Sequence, residues 1–162
     1  MAEDCFFLVP SIIEGKKYFD VSRDEIVRQL VDTGVFDRED EHTFSDEYGN
    51  DCTVVLRLNI SARGVLPECW TSALKLGRQR IDGVDHERQY DGPDGKKITG
   101  WHRHVWDAKK QSAESNKQPL DDFRNVTSRD QFLVRVMDLM NVTLNRIDHG
   151  TDELPFPEIG DR

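Results

Sequence analysis

The sequence predicts an α+β fold: a small antiparallel sheet packed against two helices. Three observations predict it. Residues 53–60 alternate with period two, two other segments place apolar residues at helical spacing behind a capping serine, and turn-rich links join the strands. At 162 residues the chain is long enough to bury a core. We expect one domain over 1–147 and a loosely ordered, acidic, proline-containing tail over 148–162.

Residues 12–21 mix β-branched and aromatic side chains around Gly15 and read as a short edge strand or hairpin. Ser22 opens a capping box with Glu25 three residues on. Ile26, Val27, Leu30 and Val31 then follow at helical spacing and Gly34 supplies a stop, so a helix of about three turns is predicted. The next stretch is polar and contains a turn at Tyr48-Gly49-Asn50-Asp51. From Thr53, Val54, Leu56, Leu58 and Ile60 share one face of a strand.

After a Gly64/Pro67 break, a second strand is expected over 70–81 and a third over 98–106. The long connection between them contains Gly92-Pro93-Asp94-Gly95, a type I turn with proline in second place. Residues 107–122 read as a polar linker. Thr127 or Ser128 caps the second helix, whose stripe of Phe132, Leu133, Val136, Met137, Met140 and Leu144 is core against the sheet.

No apolar run approaches the length of a bilayer span, and the acidic start does not read as a signal peptide, so no membrane partner is expected. Cys5, Cys52 and Cys69 are odd in number and lack metal-type spacing, which reads as reduced, buried thiols in a cytoplasm. The formal charge of −9 argues against indiscriminate nucleic-acid binding, but it is unevenly spread. Residues 1–50 carry thirteen acids against five bases, whereas residues 73–110 carry nine bases against six acids. The basic segment also holds three of the five histidines.

On a strand, residues two apart point the same way, about 7 Å from each other. His102 and His104 therefore share a face, with Trp101, Arg103 and Val105 on the other. The same alternation puts Arg78, Arg80 and Asp82 on one face of the preceding strand, and His86 in the connecting loop swings over it. If the faces coincide, two arginines and two or three histidines converge.

That convergence has three readings. Imidazoles poised near neutrality serve as acid and base in metal-independent phosphoryl transfer, with arginine holding the phosphate. The HxH pair also offers two metal ligands, with His86, Asp82, Asp91 or Asp94 as a third, but arginines nearby disfavour a cation. Solvated histidines on a half-exposed sheet are the third. No nucleotide-binding, serine-hydrolase or zinc-protease motif is present.

The positions Arg80-Ile81-Asp82, His86, Asp94-Gly95 and His102-Arg103-His104 form a pattern that resembles an uncharacterised family of small prokaryotic proteins, over about residues 52–145. The combination of compact sheet, histidine and arginine is also similar to toxins of bacterial toxin–antitoxin modules, and that likeness implies RNA cleavage. The expectation is therefore a toxin-like, metal-independent ribonuclease without cofactor or metal. His102, His104 and His86 are its acid/base candidates, Arg78, Arg80 and Arg103 its phosphate-binding candidates, and RNA its substrate. The alternative is a non-enzymatic acidic binding protein, a phage- or defence-associated inhibitor or antitoxin-like partner that captures a basic protein.

Overall fold

The computed structural model describes residues 2–39, 44–45, 48–49, 51–60 and 70–144. The expected tail at 148–162, Cys69, and Asn50 of the expected turn lie outside the described residues.

The architecture is α+β, and its sheet is larger than the small one expected. Six antiparallel strands lie in the order β2 (Val35–Glu39), β5 (Val54–Ile60), β6 (Trp70–Leu76), β7 (Gln79–Asp91), β8 (Lys97–His104) and β9 (Lys117–Pro119). Alternation in β5 behaves as its sequence demands: Val54, Leu56, Leu58 and Ile60 are buried while Val55, Arg57 and Asn59 are not. Two further pairs stand apart from this sheet. The first joins β1 (Lys17–Phe19) in parallel to β10 (Val142–Leu144), and the second joins β3 (Phe44–Ser45) to β4 (Asp51–Cys52).

The strand expected over 70–81 is two strands. Gly77, at φ 61°, and Arg78 turn the chain back after Leu76. The long connection expected after residue 81 is instead most of β7, so His86 is a strand residue and not a loop residue. Only the turn at 92–95 survives from that connection, closed by a bond from Gly95 N to Gly92 O of 3.0 Å. Likewise the polar linker contributes β9.

Both capping serines bond as their spacing predicts, and the reciprocal half of a capping box is present at the second. The Ser22 hydroxyl accepts from Glu25 N at the start of α2 (Arg23–Thr33), and left-handed Gly34 ends it. Ser128 accepts from Gln131 N at the start of α3 (Arg129–Leu139), and the Gln131 side chain accepts from Ser128 N in return. Leu144, read as the end of the helical stripe, belongs to β10. A 3-10 helix at Ala2–Leu8 and α1 (Val9–Glu14) precede β1, where part of a strand was expected. The buried Lys17 ammonium donates to the carbonyls of Ile12, Ile13 and Gly15, satisfying the end of α1.

One core cluster joins the helices to the face of the sheet that carries Trp70 and Trp101. Trp101 stacks on Phe132 of α3 with centroids 5.4 Å apart, and Trp70 lies 5.9 Å from the same ring. Cys5 and Cys52 are not reduced thiols. They form a disulfide across 47 residues with a Cα separation of 6.0 Å, a pairing that spacing alone could not reveal. The thiol argument for a cytoplasmic location is thereby withdrawn. Among the described residues no helix is long and apolar enough to cross a membrane.

Candidate functional site

Register decides what meets what on the second face of the sheet. Asp85 of β7 is paired with His102 of β8, Gly83 with His104, and Glu87 with Gly100. Directly opposed residues share a face, so Asp85, Glu87, His102 and His104 all stand on the side away from Trp101.

Two irregularities in β7 bring further side chains to that face. The register slips between the Leu74–Asp82 and Lys75–Arg80 pairs, so Ile81 is an extra residue. Without it Arg80 and Asp82 would point the same way. With it, Arg80 turns to Asp85 while Asp82 goes to the opposite face. The second slip lies between Glu87 and Tyr90 and carries the Tyr90 ring over His102, with centroids 4.3 Å apart.

The resulting cluster is compact and largely out of water. Arg80 donates through Nη1 and Nη2 to the two carboxylate oxygens of Asp85 at 2.9 and 2.8 Å. It crosses Gly83 to do so, where a Cβ would collide with the guanidinium and with the Ser72 carbonyl. Asp85 Oδ2 lies 3.0 Å from His104 Nε2, and His104 Nδ1 lies 3.1 Å from the carbonyl of Ala113. The loop after β8 closes over His104 through that contact.

His102 is different. Its side chain is 0% exposed, and neither ring nitrogen makes a hydrogen bond of good geometry. Nε2 lies 3.3 Å from Glu87 Oε1 without hydrogen-bond geometry, and the same Oε1 accepts from Lys117 Nζ at 2.7 Å.

Electrostatics follow from this layout. Burial alone would raise the Asp85 carboxyl, but hydrogen bonds from His104 and Arg80, with the charge of each, hold it well below the usual carboxylate range. Burial and the neighbouring His104 push His102 down to about 4, against a smaller opposing pull from Asp85, Glu87 and the nearby Gly100 carbonyl. His102 is therefore a neutral imidazole at pH 7. Burial, then Asp121 and Glu87, push the Tyr90 hydroxyl up.

His104 poses a donor problem. A carbonyl only accepts, so Nδ1 carries a proton; an ionised carboxylate also only accepts, so Nε2 needs either a second proton or a cation between it and Asp85. One ligand atom each from Asp85, His102 and His104 already lies within 4.8 Å of the others.

The convergence expected from the sequence is realised in part. His102, His104 and Arg80 meet. His86 does not join them, because it is paired with Trp101 on the opposite face, ring centroids 5.0 Å apart. Arg103 is also on that face, bidentate to Asp82 at 2.8 Å through both Nε and Nη2; this bond raises its guanidinium pKa. Arg78 is exposed in the β6–β7 turn. Of the other acids considered as ligands, Asp82 serves Arg103, while Asp91 and Asp94 pair with Lys97 and Lys96 at the hairpin tip.

Asp85 and Glu87 are the residues that sequence reasoning missed. Their signal was available: Asp85-x-Glu87 has the same i, i+2 spacing as His102-x-His104. Beyond Tyr90 lies a cleft of about 380 Å³, lined by His86, Trp101, Asp121 and Arg124 among others. Comparison with protein-family models, with curated proteins and with solved structures finds no match to this chain.

Proposed function

We propose that the protein binds a divalent transition-metal ion of the zinc class through Asp85, His102 and His104. One observation carries this reading. A wholly buried, neutral imidazole whose two nitrogens lack a well-formed hydrogen bond stands beside another imidazole whose Nε2 faces an ionised carboxylate. Leaving a buried polar group unsatisfied costs about 1–3 kcal/mol, and a metal ion removes that cost while replacing the proton at His104 Nε2. Two imidazoles and a carboxylate are the donor set that borderline divalent ions take.

Arg80 works against any cation here. In this reading it keeps both carboxylate oxygens and orients them, as outer-shell partners of metal ligands do.

The sequence expectation of a metal-independent ribonuclease rests on Arg78, Arg80, His86, His102 and His104 converging on an exposed patch. His102 and His104 are 0% and 3% exposed and His86 lies on the other face, which favours the metal reading over it. The experiment separates the two. Chelator-treated, dialysed protein is titrated with Zn²⁺ by calorimetry and with Co²⁺ by absorption spectroscopy, and RNA cleavage is assayed in chelator. The expected result is one ion per chain with proton release, lost in His102→Ala and His104→Ala. No stoichiometric binding, or equal binding by His102→Ala, overturns the proposal. Cleavage in chelator that requires both histidines returns the ribonuclease, and capture of a basic protein partner without metal uptake favours the acidic binding protein.

A further inference from the structure

Resting on the metal reading above, we infer that Glu87 is the fourth ligand of this centre and that Lys117 is the cation holding its place in the metal-free protein. In a tetrahedral site with bonds of about 2.0–2.1 Å, neighbouring ligand atoms lie about 3.3 Å apart. Asp85 Oδ2 and His104 Nε2 are 3.0 Å apart, and Glu87 Oε1 and His102 Nε2 are 3.3 Å apart. Two pairs with the spacing of a tetrahedral edge, each one imidazole and one carboxylate, therefore exist before any ion arrives. Glu87 lies outside the trio whose ligand atoms sit within 4.8 Å of one another, so its carboxylate has to move toward Asp85 and His104 when the ion binds.

Charge leads to the same assignment. Without metal, Asp85 is matched by Arg80 and Glu87 by Lys117, and the proton that His104 Nε2 turns to Asp85 adds a further positive charge to the face. An ion entering with all of these in place is repelled, whereas one that replaces that proton and displaces Lys117 meets an uncompensated carboxylate. Lys117 is suited to leave. It sits on β9 opposite His104, its side chain is 24% exposed, and an ammonium on a flexible stem re-solvates easily. Exposure rises from His102 at 0% through Asp85 at 14% to Glu87 at 37%, so the Glu87 end is where an ion enters. Four protein ligands also define the kind of centre. With no position left for water, it is a structural site that ties β7 to β8, not a hydrolytic one.

The test uses the full chain, stripped of metal, with Zn²⁺ as the titrant and folding checked by circular dichroism for each variant. Glu87→Gln is expected to weaken binding roughly 10–100-fold. Lys117→Met is expected to strengthen it several-fold, as removal of a half-exposed competing pair should. X-ray absorption on the loaded wild type should show four nitrogen or oxygen ligands, two of them imidazole. If Glu87→Gln binds like wild type while His102→Ala does not, the fourth-ligand assignment falls and the three-ligand reading stands. If Lys117→Met binds more weakly than wild type, Lys117 supports the ion and does not compete with it, and the place-holder role is overturned. If the wild type binds no ion, both readings fall together.

Discussion

Arg80 grips Asp85 through two parallel hydrogen bonds that pass directly over Gly83, so a glycine on one strand position permits an ion pair between two others. The arginine and aspartate side chains are 12% and 14% exposed, which places the pair where partner loss is costly. Arg80→Met should leave Asp85 charged and half-satisfied, lowering stability by about 3 kcal/mol or more in urea unfolding. Gly83→Ala should act on the same pair by steric displacement, at about 1–3 kcal/mol. Because both changes remove one interaction, the double variant should lose less than the sum of the two.

Metal-free protein should lose stability as pH falls from 6.5 toward 4. His102 titrates near 4 when folded and near 6.5 when unfolded, so within that window the unfolded chain binds a proton that the folded one refuses. Stability therefore rises with pH, by at most about 1.4 kcal/mol per pH unit, and levels off above 6.5. Below this window Asp85 adds a further loss, since its folded carboxyl is held down and must be protonated against Arg80 and His104. Urea midpoints measured in chelator from pH 4 to 8 check this. His102→Leu should flatten the slope between 4 and 6.5, and an unchanged slope would sink the assignment.

Reduction should weaken the fold. The Cys5–Cys52 bond closes a loop of 47 residues, for which loop-closure entropy gives about 4 kcal/mol. For a chain of this size that corresponds to a fall of roughly 10 °C in Tm on adding dithiothreitol. Cys52→Ser should show the reduced Tm with or without reductant.

Ser128→Ala should cost about 1 kcal/mol, because it removes the acceptor for Gln131 N at the start of α3. Since α3 supplies Phe132 to both Trp70 and Trp101, the loss should appear in tryptophan fluorescence as well as in helix content.

What the sequence disclosed, and what it hid, divides by physical range. Caps, turns and alternation are local, so α2, α3, β5 and the Gly92–Gly95 turn were legible from the chain. Strand β7 was not. Its two extra residues break the alternation a strand is recognised by, and its length of 13 residues is filled with charged side chains. β2 was missed for a related reason: Val-Phe-Asp-Arg-Glu at a sheet edge carries too few apolar residues to signal a strand. At the site, the shared face of His102 and His104 followed from period two. Their companions did not, because whether Arg80 or Arg103 shares that face depends on where register slips. The disulfide, joining residues far apart in sequence, left no local trace at all.

The parallel pairing of β1 with β10, Tyr18 against Thr143, orders events during synthesis. The ribosome delivers β1 long before its partner, with every strand of the six-stranded sheet emerging in between. Cys52, by contrast, is available to Cys5 early. Covalent closure of the amino-terminal segment can thus precede the strand pairing that seats it, and a nascent chain halted anywhere before Val142 leaves β1 without its partner, an open edge for a chaperone or a second nascent chain.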